Sequence, residues 1–300
     1  MTKTTKQPRD LYQEITNQIV EALEQGVAPW ACPWERVGAP RNANSQRPYN
    51  GINALILGLK GLMMGYSTQE WLTFNQAKAL GGRVRKGEKG TVVIFYKKLV
   101  LKDTEAKADE GEESPLTIPL MRSFVVFNLD QIDGIERTAP AERPLPEGLD
   151  NDAADAIIAG SEAIIRHGGD EAFYSPSRDM IQMPSKEAFA DGASYYATLF
   201  HELTHWTGSA KRLARPGITG RHAFGSPEYA FEELVAELGA AFLCAEAGIE
   251  GELRHEGYIQ SWLEALRNDK KLIFRAASAA QKAADLLATP IRTEQMDKVA

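Results

Sequence analysis

The chain has 300 residues, 43% of them hydrophobic and 25% charged, which is the make-up of a globular protein with room for two domains of ordinary size. No apolar run reaches the length needed to span a bilayer, and the opening MTKTTKQPRD is basic and polar with no apolar stretch behind it, so neither a membrane partner nor a secretory leader is expected. Two cysteines far apart, Cys32 and Cys244, do not imply a disulfide framework, and a cytoplasmic protein is the expectation.

Along the chain, Asp10 to Gly26 places Leu11, Ile15, Ile19 and Leu23 four residues apart, the spacing of one helix face, and Gly26 with Pro29 ends it. Residues 28–50 are rich in Pro, Asn, Arg and Trp and read as irregular. Residues 51–64 read as a buried helix, and 68–80 as another, with Ser67 or Thr68 as its cap and Gly81-Gly82 as its stop. The Val-, Ile- and Phe-rich runs 91–101 and 119–129 read as a hairpin around an acidic loop at 103–114. Residues 137–149, with three prolines, read as a linker. Beyond it come a helix at 151–167, two short strands within 172–184, and helices near 186–208, 226–248, 254–268 and 270–287. Asp179 to Pro184, directly before the histidine helix and ending in Pro, suits an edge strand able to hold an extended peptide. The fold class is therefore α+β in two domains, an N-terminal α+β domain at 1–136 and a mainly helical C-terminal one at 150–300 with a small β-hairpin and edge strand.

The net charge of −7 is unevenly spread. Residues 1–130 carry 17 Lys and Arg against 14 Asp and Glu, six of those acids within 103–113, whereas residues 131–300 carry 17 against 27. Outside its acidic loop the first part suits a polyanion, and the second does not.

His201-Glu202-Leu203-Thr204-His205 is an HExxH run. Two histidines at i and i+4 share a helix face and can hold one cation, zinc (Zn2+) or another divalent metal, with Glu202 beside them as a general base for water. A catalytic zinc site needs a third protein ligand. Glu233 in Phe231-Glu232-Glu233-Leu234-Val235-Ala236-Glu237 is the favoured one, with Glu237 one turn on as acceptor for a ligand histidine N–H. Glu232 and Glu237 stay open as rival ligands, with His222 an outlying candidate. Ala236 and Ala240 would let this helix come close to the histidine helix.

In the N-terminal half, Trp30, Trp34 and Tyr49 stand among Arg36, Arg41 and Arg47, and a Gly-rich turn carries Arg83, Arg85, Lys86 and Lys89, with Lys97 further on. Rings that stack on bases and cations that meet phosphates are what a single nucleic-acid strand requires. Gly82 and Gly87 are followed by Glu88-Lys89 rather than Lys-Ser or Lys-Thr, so no P-loop is present, and no paired-Asp site supports primase chemistry.

The segments LYQEITNQIVEALEQGVAPWACPW, RPYNGINALIL, WLTFNQAKALGGRVRKGEKGTVVIFY and FVVFNLDQIDG resemble the N-terminal domain of ArdC-type antirestriction proteins, itself similar to the N-terminal region of TraC-type plasmid primases. FYSPSRDMIQMP, YYATLFHELTHWTG, YAFEELVAELGAAFLC and YIQSWLEAL resemble the zincin-like metallopeptidase domain that accompanies it, so the resemblance covers nearly the whole chain. It implies a protein of a conjugative plasmid or mobile element that binds single-stranded DNA through residues 1–136 and protects incoming DNA from restriction in a bacterial cell. The family's metal motif falls on His201, Glu202 and His205, and its acidic third ligand falls within EELVAE. The implied peptidase substrate is a host protein such as a restriction-system component. The alternative is a non-catalytic protein that coats single strands or occupies a restriction enzyme, its metal only bracing the fold.

Overall fold

Asp10 accepts a hydrogen bond from the Gln13 backbone N–H and opens helix α1 (Leu11–Glu24), whose Ile15, Ile19 and Leu23 are buried as the four-residue spacing requires. The computed structural model describes residues 9–28, 30, 39–135 except 101–116, 150–223, 226–249 and 259–299; Trp34, the acidic loop 103–114, the linker 137–149 and the side chain of Lys97 lie outside the described residues.

A four-stranded sheet follows, ordered β1 (Arg41–Asn42), β2 (Glu70–Thr73), β5 (Thr117–Asn128) and β4 (Thr91–Val100). The expected hairpin is β4 with β5, in antiparallel register Val93 to Phe124 and Phe95 to Arg122. Helix α2 (Ile52–Met64) lies on the sheet, where the Asn53 amide joins the Ile94 backbone N–H and C=O at 2.8 and 2.7 Å. Part of the helix expected over 68–80 is strand instead. Trp71 and Leu72 are both fully buried in β2, paired to β5, and only then does helix α3 (Phe74–Ala79) begin, capped by Thr73 in a capping box with Gln76. An apolar pair buried on both faces belongs to a central strand, and partners distant in sequence decide that. The short strands β3 (Arg83–Val84) and β6 (Ile132–Asp133) pair beside this sheet.

In the C-terminal half, Asn151 caps helix α4 (Asp152–Gly160). The helix expected to reach 167 stops here. Glu162 turns at φ 58°, and β7 (Ile164–His167) runs parallel to β9 (Met180–Met183). Strand β8 (Phe173–Ser175) pairs antiparallel on the other side, so the sheet order is β7-β9-β8. Residues 180–183 are therefore the central strand, not the expected edge, because Ile164 and Ile165 supply a partner where the periodicity read helix. The edge beside helix α5 (Gly192–Thr207) is β8. Then follow α6 (Pro216–Thr219), α7 (Pro227–Ala247), α8 (Ile259–Asn268) and α9 (Leu272–Val299).

One core crosses between the halves. Ile15, Ile19, Leu55 and Ile56 of α1 and α2 pack with Leu234, Leu238, Trp262, Ile273 and Ala277 of α7, α8 and α9. Trp30 is fully buried there, edge-on to Trp262 at 5.3 Å. Thr16 donates to the Lys270 carbonyl at 2.8 Å, and the Gly51 N–H to Gln281 at 2.9 Å. A second core holds β8, β9, α4, α5, α7 and α9 together.

Asp179, in the turn before β9, ties that sheet to the loop after α5. It accepts from the Arg212 guanidinium and from the Tyr174 hydroxyl at 2.9 Å, while Arg212 lies 3.6 Å over the Trp206 ring. Arg212 foremost, helped by Tyr174 and against the pull of burial, lowers the Asp179 carboxyl from 3.8 to about 2. A depressed carboxyl stabilises above its unfolded value, and that contribution disappears as pH falls from about 4 through 2. The gap in unfolding free energy between the native chain and Asp179→Asn, followed by urea titration, is expected to be on the order of 2 kcal/mol at pH 6 and to narrow below pH 4; a pH-independent gap would show that the carboxylate charge is not what holds the turn.

Candidate metal centre

Helix α5 begins at the Asp191 cap, whose carboxylate accepts from the Ser194 N–H at 2.7 Å, and ends at Gly208. It carries His201 and His205 one turn apart. Helix α7 begins at Ser226 with Pro227 in its first turn and ends at left-handed Gly248. The two helices meet at Thr204 and Gly239, where a β-carbon added to the glycine would fall 2.5 Å from Thr204 Cγ2. A helical glycine costs roughly 1 kcal/mol against alanine, and here the close approach requires it. Ala236 and Ala240, expected at this contact, are fully buried beside it.

That approach brings three carboxylates of α7, those of Glu232, Glu233 and Glu237, into the interior facing α5, none more than 7% exposed. Buried carboxylates demand partners. Glu233 faces both histidines: its oxygens stand 3.5 Å from His201 Nε2 and 3.6 Å from His205 Nε2, and the two Nε2 atoms are 3.1 Å apart. Ligands about 2.1 Å from a shared zinc-sized cation stand about 3.4 Å from one another in a tetrahedral arrangement, so the three groups fit one. Among the described residues they form a group whose ligand atoms all lie within 4.8 Å.

The other two carboxylates stand behind the histidines. His205 Nδ1 lies 3.2 Å from Glu232 Oε1, and His201 Nδ1 lies 3.6 Å from Glu237 Oε1. An Nδ1–H held by a carboxylate leaves Nε2 as the lone-pair atom turned to the centre. Glu232 is in turn clamped by Arg215, whose guanidinium also donates to Thr207 Oγ1 at 2.7 Å and to the Thr204 carbonyl at 2.6 Å. Burial alone would favour the neutral His201 ring, but Glu237, Glu233 and Glu202 outweigh it and raise its pKa to about 9. Burial is likewise overcome at Glu232, lowered by His205 and Arg215, and at Glu233, lowered chiefly by His201.

Of the three glutamates left open, Glu233 is the one whose oxygens face both Nε2 atoms, Glu237 stands at a histidine's far nitrogen, and Glu232 does the same for the other histidine. His222 is outside the group, its Nε2 2.7 Å from the Pro216 carbonyl. Arg215 was invisible to sequence reasoning: eight residues from its Thr207 partner and 17 from Glu232, it belongs to no motif. Glu202, 8% exposed, lines a cavity of about 810 Å3 together with His201, His205 and Glu233, and Phe173 and Tyr174 of β8 form part of its wall.

The N-terminal candidates are scattered by comparison. Trp30 offers no ring face to solvent, a correction to the expected stacking role, because α8 supplies Trp262 to cover it. Tyr49 is half-buried against the Leu57 and Trp71 cluster. Arg47, Arg83, Lys86 and Lys89 are exposed and Arg41 is half-buried, while Arg85 is tied to Glu88 at 2.8 Å and to Asp133 at 3.6 Å. Phe95 and Phe124, overlooked in the sequence, lie edge to face at 5.3 Å on the outer side of the β4–β5 hairpin, 47% and 44% exposed, with Arg122 opposite Phe95.

The family of N-terminal domains of the anti-restriction factor ArdC matches residues 9–127, and that of zincin-like metallopeptidases matches residues 152–279. An uncharacterised protein of Sinorhizobium fredii, y4eC, is 40% identical over 291 residues, covering 94% of this chain and 93% of its own length. A DNA primase TraC of Escherichia coli is 38% identical over 299 residues, 93% of this chain but only 27% of the primase. The crystal structure of the metal-free antirestriction ArdC protein from the R388 plasmid superposes with a TM-score of 0.78 at 41% identity, over 93% of this chain and 97% of that one. Its Mn(II)-bound form gives 0.77 at 40% identity, over 94% and 98%. With its ArdC N-terminal domain followed by a zincin-like metallopeptidase domain, the chain belongs to the ArdC family of antirestriction proteins.

Proposed function

We propose that this chain is an antirestriction protein of a conjugative element, acting in the cytoplasm, that binds single-stranded DNA through a domain at 1–136 and cuts a host protein, such as a restriction-system component, at a domain spanning 150–300. The observation that carries the peptidase reading is the convergence of His201 Nε2, His205 Nε2 and the Glu233 carboxylate on one point at the wall of an open cavity, with Glu202 beside it. Structural zinc sites are closed by four protein ligands, whereas three ligands facing a cavity leave room for water and substrate. That favours catalysis over a metal that only braces the fold.

A divalent cation held by His201, His205 and Glu233, zinc or the Mn(II) carried by the related ArdC crystal structure, would polarise a carbonyl and acidify a water. Glu202 takes the proton from that water and passes it to the leaving amine. Glu232 holds the His205 imidazole in the tautomer that presents Nε2, and Glu237 stands 3.6 Å from His201 Nδ1 on the corresponding side. The open edge of β8, with Phe173 42% exposed, offers backbone groups to an extended peptide. For DNA, the exposed Phe95, Phe124 and Arg122 face and the cations Arg47, Arg83, Lys86 and Lys89 supply stacking and charge. Among the described residues no helix is long and apolar enough to cross a membrane.

The test incubates the full chain, loaded with Zn(II) or Mn(II), with purified restriction-enzyme subunits. Cleavage that a chelator stops and metal restores is expected. A metal-loaded chain that binds single strands and protects DNA yet cuts nothing would replace this reading with the non-catalytic one.

A further inference from the structure

A second cavity, of about 520 Å3, opens on the seam between the two halves. One wall is a stripe of α9 and the residue just before it. Lys271, Arg275, Ser278 and Lys282 follow one another at steps of four, three and four, which is one helix face, and they extend about 16 Å along the axis. The opposite wall is Tyr12 of α1 and Tyr96 of β4, their hydroxyls 3.0 Å apart. Tyr12 is fixed edge-on against Phe274 at 4.7 Å with the Lys271 ammonium 5.3 Å over its ring, and Tyr96 is 52% exposed. The floor includes Arg215, already committed to Glu232.

Among the described residues no Asp or Glu lines this cleft. Arg275 is paired with Asp269 at 2.8 Å, but Lys271 and Lys282 are exposed and make no ion pair among the described residues. Like charges repeated on one helix face oppose folding slightly, and here they gather in the acidic half of the chain. Cations in a row opposite an accessible aromatic ring match a phosphate ester that carries a flat base.

We propose that this seam cleft binds a nucleotide, as a free nucleoside phosphate or as one unit of a single strand, with Lys271, Arg275 and Lys282 on phosphate and Tyr96 against the base. Residues from both halves hold the ligand. Only the strand as its source rests on the single-stranded DNA reading above.

The experiment titrates the full chain with thymidine monophosphate and, separately, with a short oligothymidylate at several salt concentrations, in the native form and as Lys271→Gln/Lys282→Gln. Metal content serves as the check on folding. Mononucleotide affinity is expected to fall about tenfold or more in the double variant, and the salt dependence of oligonucleotide binding to become shallower by about 1.4 in log–log slope. If the mononucleotide binds and the double variant loses it while no oligonucleotide binds, the cleft stands and the single-strand reading falls. If the oligonucleotide binds with unchanged slope in the double variant and the mononucleotide binds neither form, the cleft is overturned and the single-strand reading stands. If the native chain binds neither, the cleft is overturned as well.

Discussion

Glu202→Gln is expected to keep the metal and to lose proteolysis by about 10²–10⁴-fold in kcat/KM, the span that one positioned proton acceptor supplies. Glu202 follows His201 on α5 and faces the cavity, but it stands outside the group formed by His201, His205 and Glu233. The amide matches the carboxylate in size, so the 8% exposed pocket wall is kept, and what disappears is the capacity to take a proton from water. Metal stoichiometry measured beside cleavage separates this from a ligand change. Glu233→Gln is expected to lose metal and cleavage together, since Glu233 is the group facing both Nε2 atoms. Undiminished cleavage by the metal-loaded Glu202→Gln form would remove Glu202 from the chemistry.

Arg215→Met acts on the same centre from behind. The Arg215 guanidinium is buried and holds Glu232, the Thr207 hydroxyl and the Thr204 carbonyl at once. Without it the Glu232 carboxylate, 3% exposed, keeps only His205 among the described residues. Stranding one member of a buried ion pair costs about 3–5 kcal/mol, which for a chain of this size lowers Tm on the order of 10 °C. Metal affinity is expected to fall about 10–100-fold, because the acceptor that orients His205 has lost its own support. The double change Arg215→Met/Glu232→Leu removes both charges. Thermal unfolding should then recover most of the lost stability, while metal affinity stays low. If metal affinity returned along with stability, Glu232 would have no part in positioning His205.

How much of this was legible varies by element. The α5 motif, the α7 glutamates and the β4–β5 hairpin were legible because their signals are local: an i, i+4 pair, a small-residue face, two Val-rich runs. Glu233 was favoured from its spacing among three open candidates, and its oxygens lie 3.5 and 3.6 Å from the two Nε2 atoms. The strands β2 and β7 were read as helix, since their partners β5 and β9 are distant or follow later in the chain. Trp30 sat among arginines and asparagines in sequence, yet Trp262, 232 positions later, covers its ring.

By itself, then, the sequence determined the chemistry on offer: two imidazoles and a glutamate on one helix, acidic side chains on another, and an N-terminal half rich in cations outside its acidic loop. Only the tertiary structure decided which glutamate faces the histidines, that Arg215 anchors the one behind His205, that β8 rather than β9 borders the cavity, and that a single core joins the two halves. The physical reason is range. Ligand type and helix periodicity are set within a few residues, whereas the choice among Glu232, Glu233 and Glu237 depends on the rotation of α7 against α5, at whose close approach Gly239 meets Thr204.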